Sequence, residues 1–321
     1  MTQVTLEGFP ERVRIVDVGP RDGLQAWPEP VPTDVKIAMI NGLIAAGVPQ
    51  LEVTSFVAPR AVPNMADAAE VMAAIDRSRG AELTALVPNA RGAARAIEAK
   101  VDAMVVFLSA SESHNQANVN CARDTSLAAA REIARMGQEA GVAVYGAIAT
   151  AFGCPFEGNV PVSDILHVAK AYADCGITKI SLGDTTGMAT PRLVQERCRA
   201  LAADLPQADI ALHFHNTRGV GLACAYAGLQ EGITRFEASV AGIGGCPFAP
   251  GATGNICTED LVYLLHESGV ETGIDLEALI GVAQRTEAAL GQKLPGQVMK
   301  AGPRLRAYGR DAVRSSRGDA A

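Results

Sequence analysis

The chain has 321 residues, 48% of them hydrophobic and 20% charged, which supports a large core and excludes disordered, coiled-coil and collagen-like architectures. Its 28 basic and 35 acidic side chains give a net charge of −7, and aromatic residues make up 4% with a single Trp. That inventory offers neither the clustered Lys and Arg of a nucleic-acid or anionic-membrane surface nor a platform for stacking bases.

Length alone suggests about two domains, although one α/β barrel also reaches this size. The N-terminus carries Glu7 and Glu11 before its first apolar run, so it lacks the layout of a signal or transit peptide. Strand-like apolar runs follow at 13–19, 51–56, 83–88, 103–109, 143–150, 179–184, 210–216 and 235–240. Amphipathic stretches lie between and after them at 33–47, 64–79, 90–100, 124–140, 161–175, 190–204, 219–231 and 258–269. Thr33, Asn64 and Ser163 stand where helix N-caps belong, and Gly47, Gly141 and Gly176 where C-terminal glycines belong. Strand–helix alternation repeated eight times predicts a (β/α)8 TIM barrel over residues 1–270. An open doubly wound sheet remains the alternative, because periodicity does not show closure. Residues 274–291 predict an added helix within a C-terminal helical extension, 271–300. The remainder, 301–321, holds Arg304, Arg306, Arg310, Arg314 and Arg317 with few apolar residues, and is expected to be a flexible, solvated tail.

The seven cysteines (Cys121, Cys154, Cys175, Cys198, Cys224, Cys246 and Cys257) are scattered, odd in number and without a CxxC pair. Reduced thiols in a cytoplasmic protein are the expectation. No apolar run reaches the roughly 18 residues of a membrane-spanning helix.

In a barrel the chemistry collects where strands end in loops. The first strand leads into Arg21 and Asp22, the second contains Glu52, the sixth ends at Asp184, and the seventh ends in His213-Phe-His215. Residues two apart on a strand face the same way, so both imidazoles converge on one point. Such a pair, with carboxylates from other strands, favours a divalent metal site over two hydrogen-bonded core histidines. Mixed nitrogen and oxygen ligands suit magnesium or manganese as well as zinc. His114, His167 and His266 fall on helix or surface positions and receive no role. Glu52 sits in an apolar strand where an unpaired charge is costly; an ion pair with Arg21 and a supporting part in catalysis explain it equally well. For Asp17 a structural pairing is favoured. The stretch 242–255 has glycines at 242, 244, 245, 251 and 254. It reads either as a phosphate-binding turn or as a lid carrying Cys246, a candidate acid–base thiol.

Taken together, Val-Gly-Pro-Arg-Asp-Gly-Leu-Gln (18–25), Glu-Val-Thr-Ser-Phe-Val (52–57), Ser-Leu-Gly-Asp-Thr (181–185), His-x-His (213–215), Val-Ala-Gly-Ile-Gly-Gly-Cys-Pro (240–247) and Gly-Asn-Ile-Cys-Thr-Glu-Asp-Leu-Val-Tyr (254–263) resemble the 3-hydroxy-3-methylglutaryl-CoA lyase family. The Arg-Asp pair is shared with the wider superfamily of metal-dependent Claisen enzymes, whereas the cysteine-bearing glycine loop is the narrower mark. The resemblance implies a barrel whose divalent cation, Mg2+ or Mn2+, is held by Asp22, His213, His215 and Asn255. It further implies that Arg21 stabilises an enolate, that Cys246 transfers a proton, and that Glu52 and Asp184 are acidic partners that position groups or relay protons. The implied reaction is a retro-Claisen cleavage of an acyl-CoA to acetyl-CoA and a keto acid such as acetoacetate, in the setting of leucine degradation and ketone-body metabolism. No organic cofactor is implied. The physical chemistry agrees. Breaking C2–C3 of a tertiary 3-hydroxyacyl thioester requires loss of the hydroxyl proton and a home for the enolate charge, which a metal and a guanidinium supply.

The chain departs from the family pattern at Ala26-Trp27-Pro28, at Gln116-Ala117 where the family has paired lysines, and at Asn216 and Arg218 where it has Asp and Tyr. These positions bear on the substrate more than on the chemistry. The alternatives to a lyase are a condensing acyl-CoA synthase on the same barrel and a metal-binding barrel without catalysis. A homodimer is expected, as for most oligomers of this kind.

Overall fold

The computed structural model describes residues 8–245 and 253–307. Eight strands, β1 (Arg14–Asp17), β2 (Gln50–Ser55), β3 (Glu82–Leu86), β4 (Ala103–Ser109), β5 (Ala143–Ala149), β6 (Lys179–Asp184), β7 (Asp209–Phe214) and β8 (Arg235–Ala238), pair in sequence order. All neighbours run parallel, and β8 closes on β1 through Arg14↔Arg235 to Asp17↔Ala238. The barrel is therefore closed, and the open-sheet alternative falls.

The helices are α1 (Thr33–Ala45), α2 (Ala68–Ala74), α3 (Ala90–Glu98), α4 (Glu112–Val119), α5 (Arg123–Ala140), α6 (Val162–Ala173), α7 (Pro191–Asp204), α8 (Gly221–Gln230), α9 (Thr258–Glu267), α10 (Leu276–Leu290) and α11 (Val298–Ala301). Small residues let them lie close on the strands. A Cβ at Gly228 of α8, for instance, would come within 2.3 Å of Leu212 on β7. The expected extra helix is α10, which packs on α1 and on the turn Val240–Gly242. Past it, Arg304 pairs with Glu267 at 2.7 Å and Arg306 with Glu277, so these two arginines, expected to be loose, are held against α9 and α10.

The expected N-caps are not caps. Thr33 is the first residue of α1 and donates its hydroxyl to Asp67 at 2.7 Å. Asn64 lies in the short 3-10 turn Pro63–Met65, where it accepts from Val31 N at 2.9 Å and donates to Trp27 O at 2.9 Å. Ser163 falls inside α6, behind Pro161. The side-chain caps are Asn89, Ser111, Thr190 and Asp275. Thr33 and Asn64 were drawn off by tertiary partners that local sequence does not contain. Helix α4 was also missed, because its polar sequence carries no apolar periodicity.

The lower barrel interior is polar where aliphatic layers are usual. Arg14 reaches Gln50 at 3.1 Å and Glu82 at 2.8 Å. Tyr145 donates to Glu82, Lys179 donates to Tyr145 at 2.8 Å, and Arg235 stands over the Tyr145 ring while bonding Asp209 at 3.1 Å. Each charge has a partner, which is the condition for burying it.

Two buried acids tie the mouth together. Asp17 accepts from Gly19 N at 2.8 Å and from the Thr258 hydroxyl at 2.6 Å, joining β1 to the start of α9. Glu259 accepts from Ala241 N at 3.0 Å. Burial pushes the Asp17 carboxyl up to about 7 and Glu259 up to about 8. Between the ordinary carboxylate range and those values the folded chain retains protons that the unfolded chain releases, so stability falls as pH rises, by up to about 1.4 kcal/mol per pH unit for each group. Glu259→Gln is expected to flatten the decline between about pH 5 and pH 8, read by urea denaturation across that range. An unchanged slope would show that Glu259 is ionised in the folded protein.

Candidate active site and metal centre

The site starts from a tight turn. After β1 the chain winds through one π-helical turn, Gly19–Gly23, in which the Val18 carbonyl accepts from the N–H groups of Arg21, Asp22 and Gly23 at 3.2, 2.7 and 3.3 Å. Such single turns recur at functional sites. This one aims two consecutive side chains, Arg21 and Asp22, into the barrel mouth.

Arg21 is spread between two carboxylates. Its Nη1 lies 2.7 Å from Asp22 Oδ1 and its Nη2 lies 2.7 Å from Glu52 Oε2 on β2. Burial raises the Glu52 carboxyl above its ordinary range, and Arg21 acts against that rise. The ion pair, one of the two explanations that the sequence left open for Glu52, is therefore present.

From the other side of the mouth, β7 brings in His213 and His215 with ring centroids 5.2 Å apart. Their Nε2 atoms stand 4.0 and 3.7 Å from Asp22 Oδ2, too far for hydrogen bonds. One donor atom each of Asp22, His213 and His215 falls within 4.8 Å of the others, and all three residues are buried. Burial works against the Asp22 charge, but Arg21, His213, His215 and Asn255 outweigh it and hold the carboxyl well below its usual range. His215 is pushed down to about 4 by burial and by His213, which leaves a neutral ring with a free lone pair.

Asn255 comes from the far end of the glycine-rich stretch. The backbone of 254–256 adds to the end of β7 through an antiparallel bridge, His215↔Asn255, with Asn216 N bonding Gly254 O at 3.0 Å and Ile256 N bonding Phe214 O at 3.0 Å. Only glycine suits position 254, since a Cβ there would meet the Gly242 carbonyl at 2.1 Å. Asn255 Nδ2 donates to Asp22 Oδ2 at 2.8 Å, while its Oδ1 is buried without a partner among the described residues.

Glu237 on β8 was missed by the sequence reading. Its Oε2 lies 3.0 Å from His213 Nδ1, and it also bonds Ser181. Burial disfavours its charge, yet His213 and Ser181 keep the carboxyl below its ordinary value, and in return the same contact raises His213 against burial. A carboxylate on the far nitrogen fixes the ring so that Nε2 faces the cluster. The signal was available in part, because Glu237 shares an inward parity with Arg235 and pairs with His213 across the sheet. Gln25, donating to Asp22 Oδ1 at 3.2 Å, was also missed.

Asp184 ends β6 and is not one of the three grouped donors, although His213 is near enough to act on its charge. Its Oδ1 accepts from Met188 N at 2.6 Å and Ala189 N at 2.9 Å, shaping the loop after β6, and burial pushes its carboxyl up to about 6. Arg218 Nη1 clasps the same loop through Thr186 O and Gly187 O at 3.1 and 2.6 Å, and Asn216 Oδ1 accepts from Gly221 N at 3.1 Å, at the start of α8. Gln116 and Ala117 fall on α4. His114, on the same helix, is buried with Nδ1 2.6 Å from Ser109 Oγ. Cys246 lies outside the described residues.

A family model described as HMGL-like matches residues 12–285. The hydroxymethylglutaryl-CoA lyase YngG of Bacillus subtilis is 43% identical over 289 residues, covering 90% of this chain and 97% of that protein. The 3-hydroxy-3-isohexenylglutaryl-CoA/hydroxymethylglutaryl-CoA lyase of Pseudomonas aeruginosa is 42% identical and covers 91% and 98%. Among solved structures, an HMG-CoA lyase from Acinetobacter baumannii in complex with coenzyme A and 3-methylmalate is 43% identical, with a TM-score of 0.89 over 93% of this chain and 98% of that one. The match runs through all eight barrel units and covers these relatives almost whole, so the chain belongs to the HMGL-like family.

Proposed function

We infer that this chain is a carbon–carbon lyase that cleaves 3-hydroxy-3-methylglutaryl-CoA to acetyl-CoA and acetoacetate. The observation that carries the reading is the convergence of Asp22, His213 and His215 beside Arg21, itself fixed between Asp22 and Glu52. This donor set, two imidazole nitrogens and a carboxylate, suits a divalent ion, and Asn255 Oδ1, without a partner among the described residues and next to Asp22, adds a fourth donor of the right kind. Asp22, His213, His215 and Asn255 would hold it, with Mg2+ or Mn2+ favoured by the oxygen ligands. When bound, such an ion acidifies and orients the substrate's 3-hydroxyl.

The remaining roles belong to side chains. As the hydroxyl proton leaves, its oxygen becomes the ketone, the C2–C3 bond breaks, and the electron pair passes into the thioester enolate. Arg21 is the cation for that enolate, and Glu52 holds it in orientation. We assign receipt of the hydroxyl proton to the Asp184 carboxylate, whose value of about 6 suits a base near neutrality. Cys246 is assigned the proton donated to the acetyl-CoA carbon. Glu237 orients His213. No organic cofactor enters this chemistry. Six cysteines are free among the described residues, which is consistent with a reducing compartment, and we take that compartment to be the cytoplasm. No helix among the described residues is long and apolar enough to cross a membrane. A homodimer is the assembly we propose, on the general preference of such enzymes for two-fold symmetry. We take 1–270 as the catalytic barrel, 271–300 as its helical extension and the rest as a tail.

Removal of divalent ions with a chelator is expected to abolish acetyl-CoA release, with Mg2+ or Mn2+ restoring it; full activity in the stripped protein would overturn the metal assignment. Arg21→Ala and Cys246→Ala should each lower kcat by about 10²–10³-fold with little change in KM. Glu237→Gln is expected to weaken metal binding by about 10–100-fold in calorimetric titration, because the amide no longer sets the His213 ring; unaltered affinity would assign Glu237 a purely structural place. Release of free CoA from acetyl-CoA and a keto acid would instead identify a synthase.

A further inference from the structure

Below Arg21, inside the barrel, lies a small cavity of about 40 Å3 whose lining includes the charged residues Arg21, Glu52, Lys179, Arg235 and Glu237 and the apolar Val105 and Ala147. Three of the polar groups lining it are incompletely bonded. Arg21 Nε, Glu52 Oε1 and Arg235 Nε are buried and have no hydrogen-bond partner among the described residues. Glu52 is 4% exposed and Arg235 6%. Unmet donors and acceptors on charged groups at this depth are costly, and native interiors meet them with protein or with ordered water. All three residues line one space, and their unbonded atoms are complementary, two N–H donors and one carboxylate acceptor, which is the mixture that water satisfies with its own lone pairs and protons. A space of roughly 10–15 Å3 admits one water, so this cavity of about 40 Å3 admits about three.

We propose that the cavity is a built water site whose occupants, bonded to Arg21 Nε and Glu52 Oε1, position Arg21 from beneath. Nη1 and Nη2 of Arg21 are already taken by Asp22 and Glu52. A bond at Nε fixes the third edge of the guanidinium plane, and a bond at Oε1 keeps the Glu52 carboxylate from rotating away from Arg21. The small side chain of Ala147 on β5 preserves the space, so Ala147 is a positioning residue that acts through water and Arg21. Its effect on turnover rests on the lyase reading above, whereas the water site itself does not.

The test compares the metal-loaded protein with Ala147→Leu, which fills the cavity, and Ala147→Gly, which enlarges it. Water 17O magnetic relaxation dispersion counts long-lived internal waters independently of any substrate. The Leu variant is expected to lose the amplitude of at least one such water and at least tenfold in kcat on 3-hydroxy-3-methylglutaryl-CoA, with KM within about threefold. The Gly variant is expected to keep the amplitude and to stay within about twofold in kcat. Unchanged water amplitude in the Leu variant overturns the water site. Loss of amplitude with unchanged kcat overturns the positioning role, and a raised KM with unchanged kcat overturns it too by placing Ala147 against substrate. Should the Leu variant fail to fold, Val105→Leu fills the same space from β4 and is judged by the same outcomes. A parent protein that cleaves no ester refutes the lyase reading and leaves the dispersion result to decide the water site.

Discussion

A buried guanidinium between two carboxylates is the interaction on which the rest of this site depends. Arg21 sits 2.7 Å from Asp22 on one side and 2.7 Å from Glu52 on the other. None of the three charges could be buried alone, and removing one partner from such a group typically costs about 3–5 kcal/mol because the others are left uncompensated. Arg21 thereby joins the turn after β1 to β2, and through Asp22 it joins both to the histidines of β7 and to Asn255. The same contact that balances the Asp22 charge leaves its second oxygen beside the two imidazoles, in the group of donors that could hold a metal ion.

The barrel supplies what such an arrangement needs, which is many strand ends converging on one volume. Asp22, Glu52, His213 and Glu237 come from four strands or their exits, and closure of β8 on β1 makes all four neighbours. Below them the interior is an ion-paired network built around Glu82, Tyr145, Lys179 and Arg235 in place of an aliphatic plug. That polar floor explains how charged groups can approach the barrel axis. Burying Asp17 and Glu259 at the rim has a different outcome: without a cation at hand they are held toward the neutral form and act as hydrogen-bonded ties between loops.

Strand positions were legible because parallel barrel strands are short apolar runs between turn signals. The His-x-His pair was legible for the same reason, since parity alone puts His213 and His215 on one face. Helix ends were less so: Thr33 and Asn64 have the chemistry of N-caps, but Asp67 and the backbone at Trp27 and Val31 compete for them. Glu237 carried a parity signal without a partner to give it meaning, until pairing of β7 with β8 set it opposite His213.

By itself, the sequence determined the alternation of elements, the net acidic balance, and the motifs that mark the family. Those properties are local, written in periodicity and residue type. Closure of the barrel, the choice of ion pairing for Glu52, the service of Glu237 to His213, and the shared cavity under Arg21 were decided by tertiary structure. Each depends on distances between residues tens to hundreds of positions apart, which only the pairing of strands and the docking of loops set.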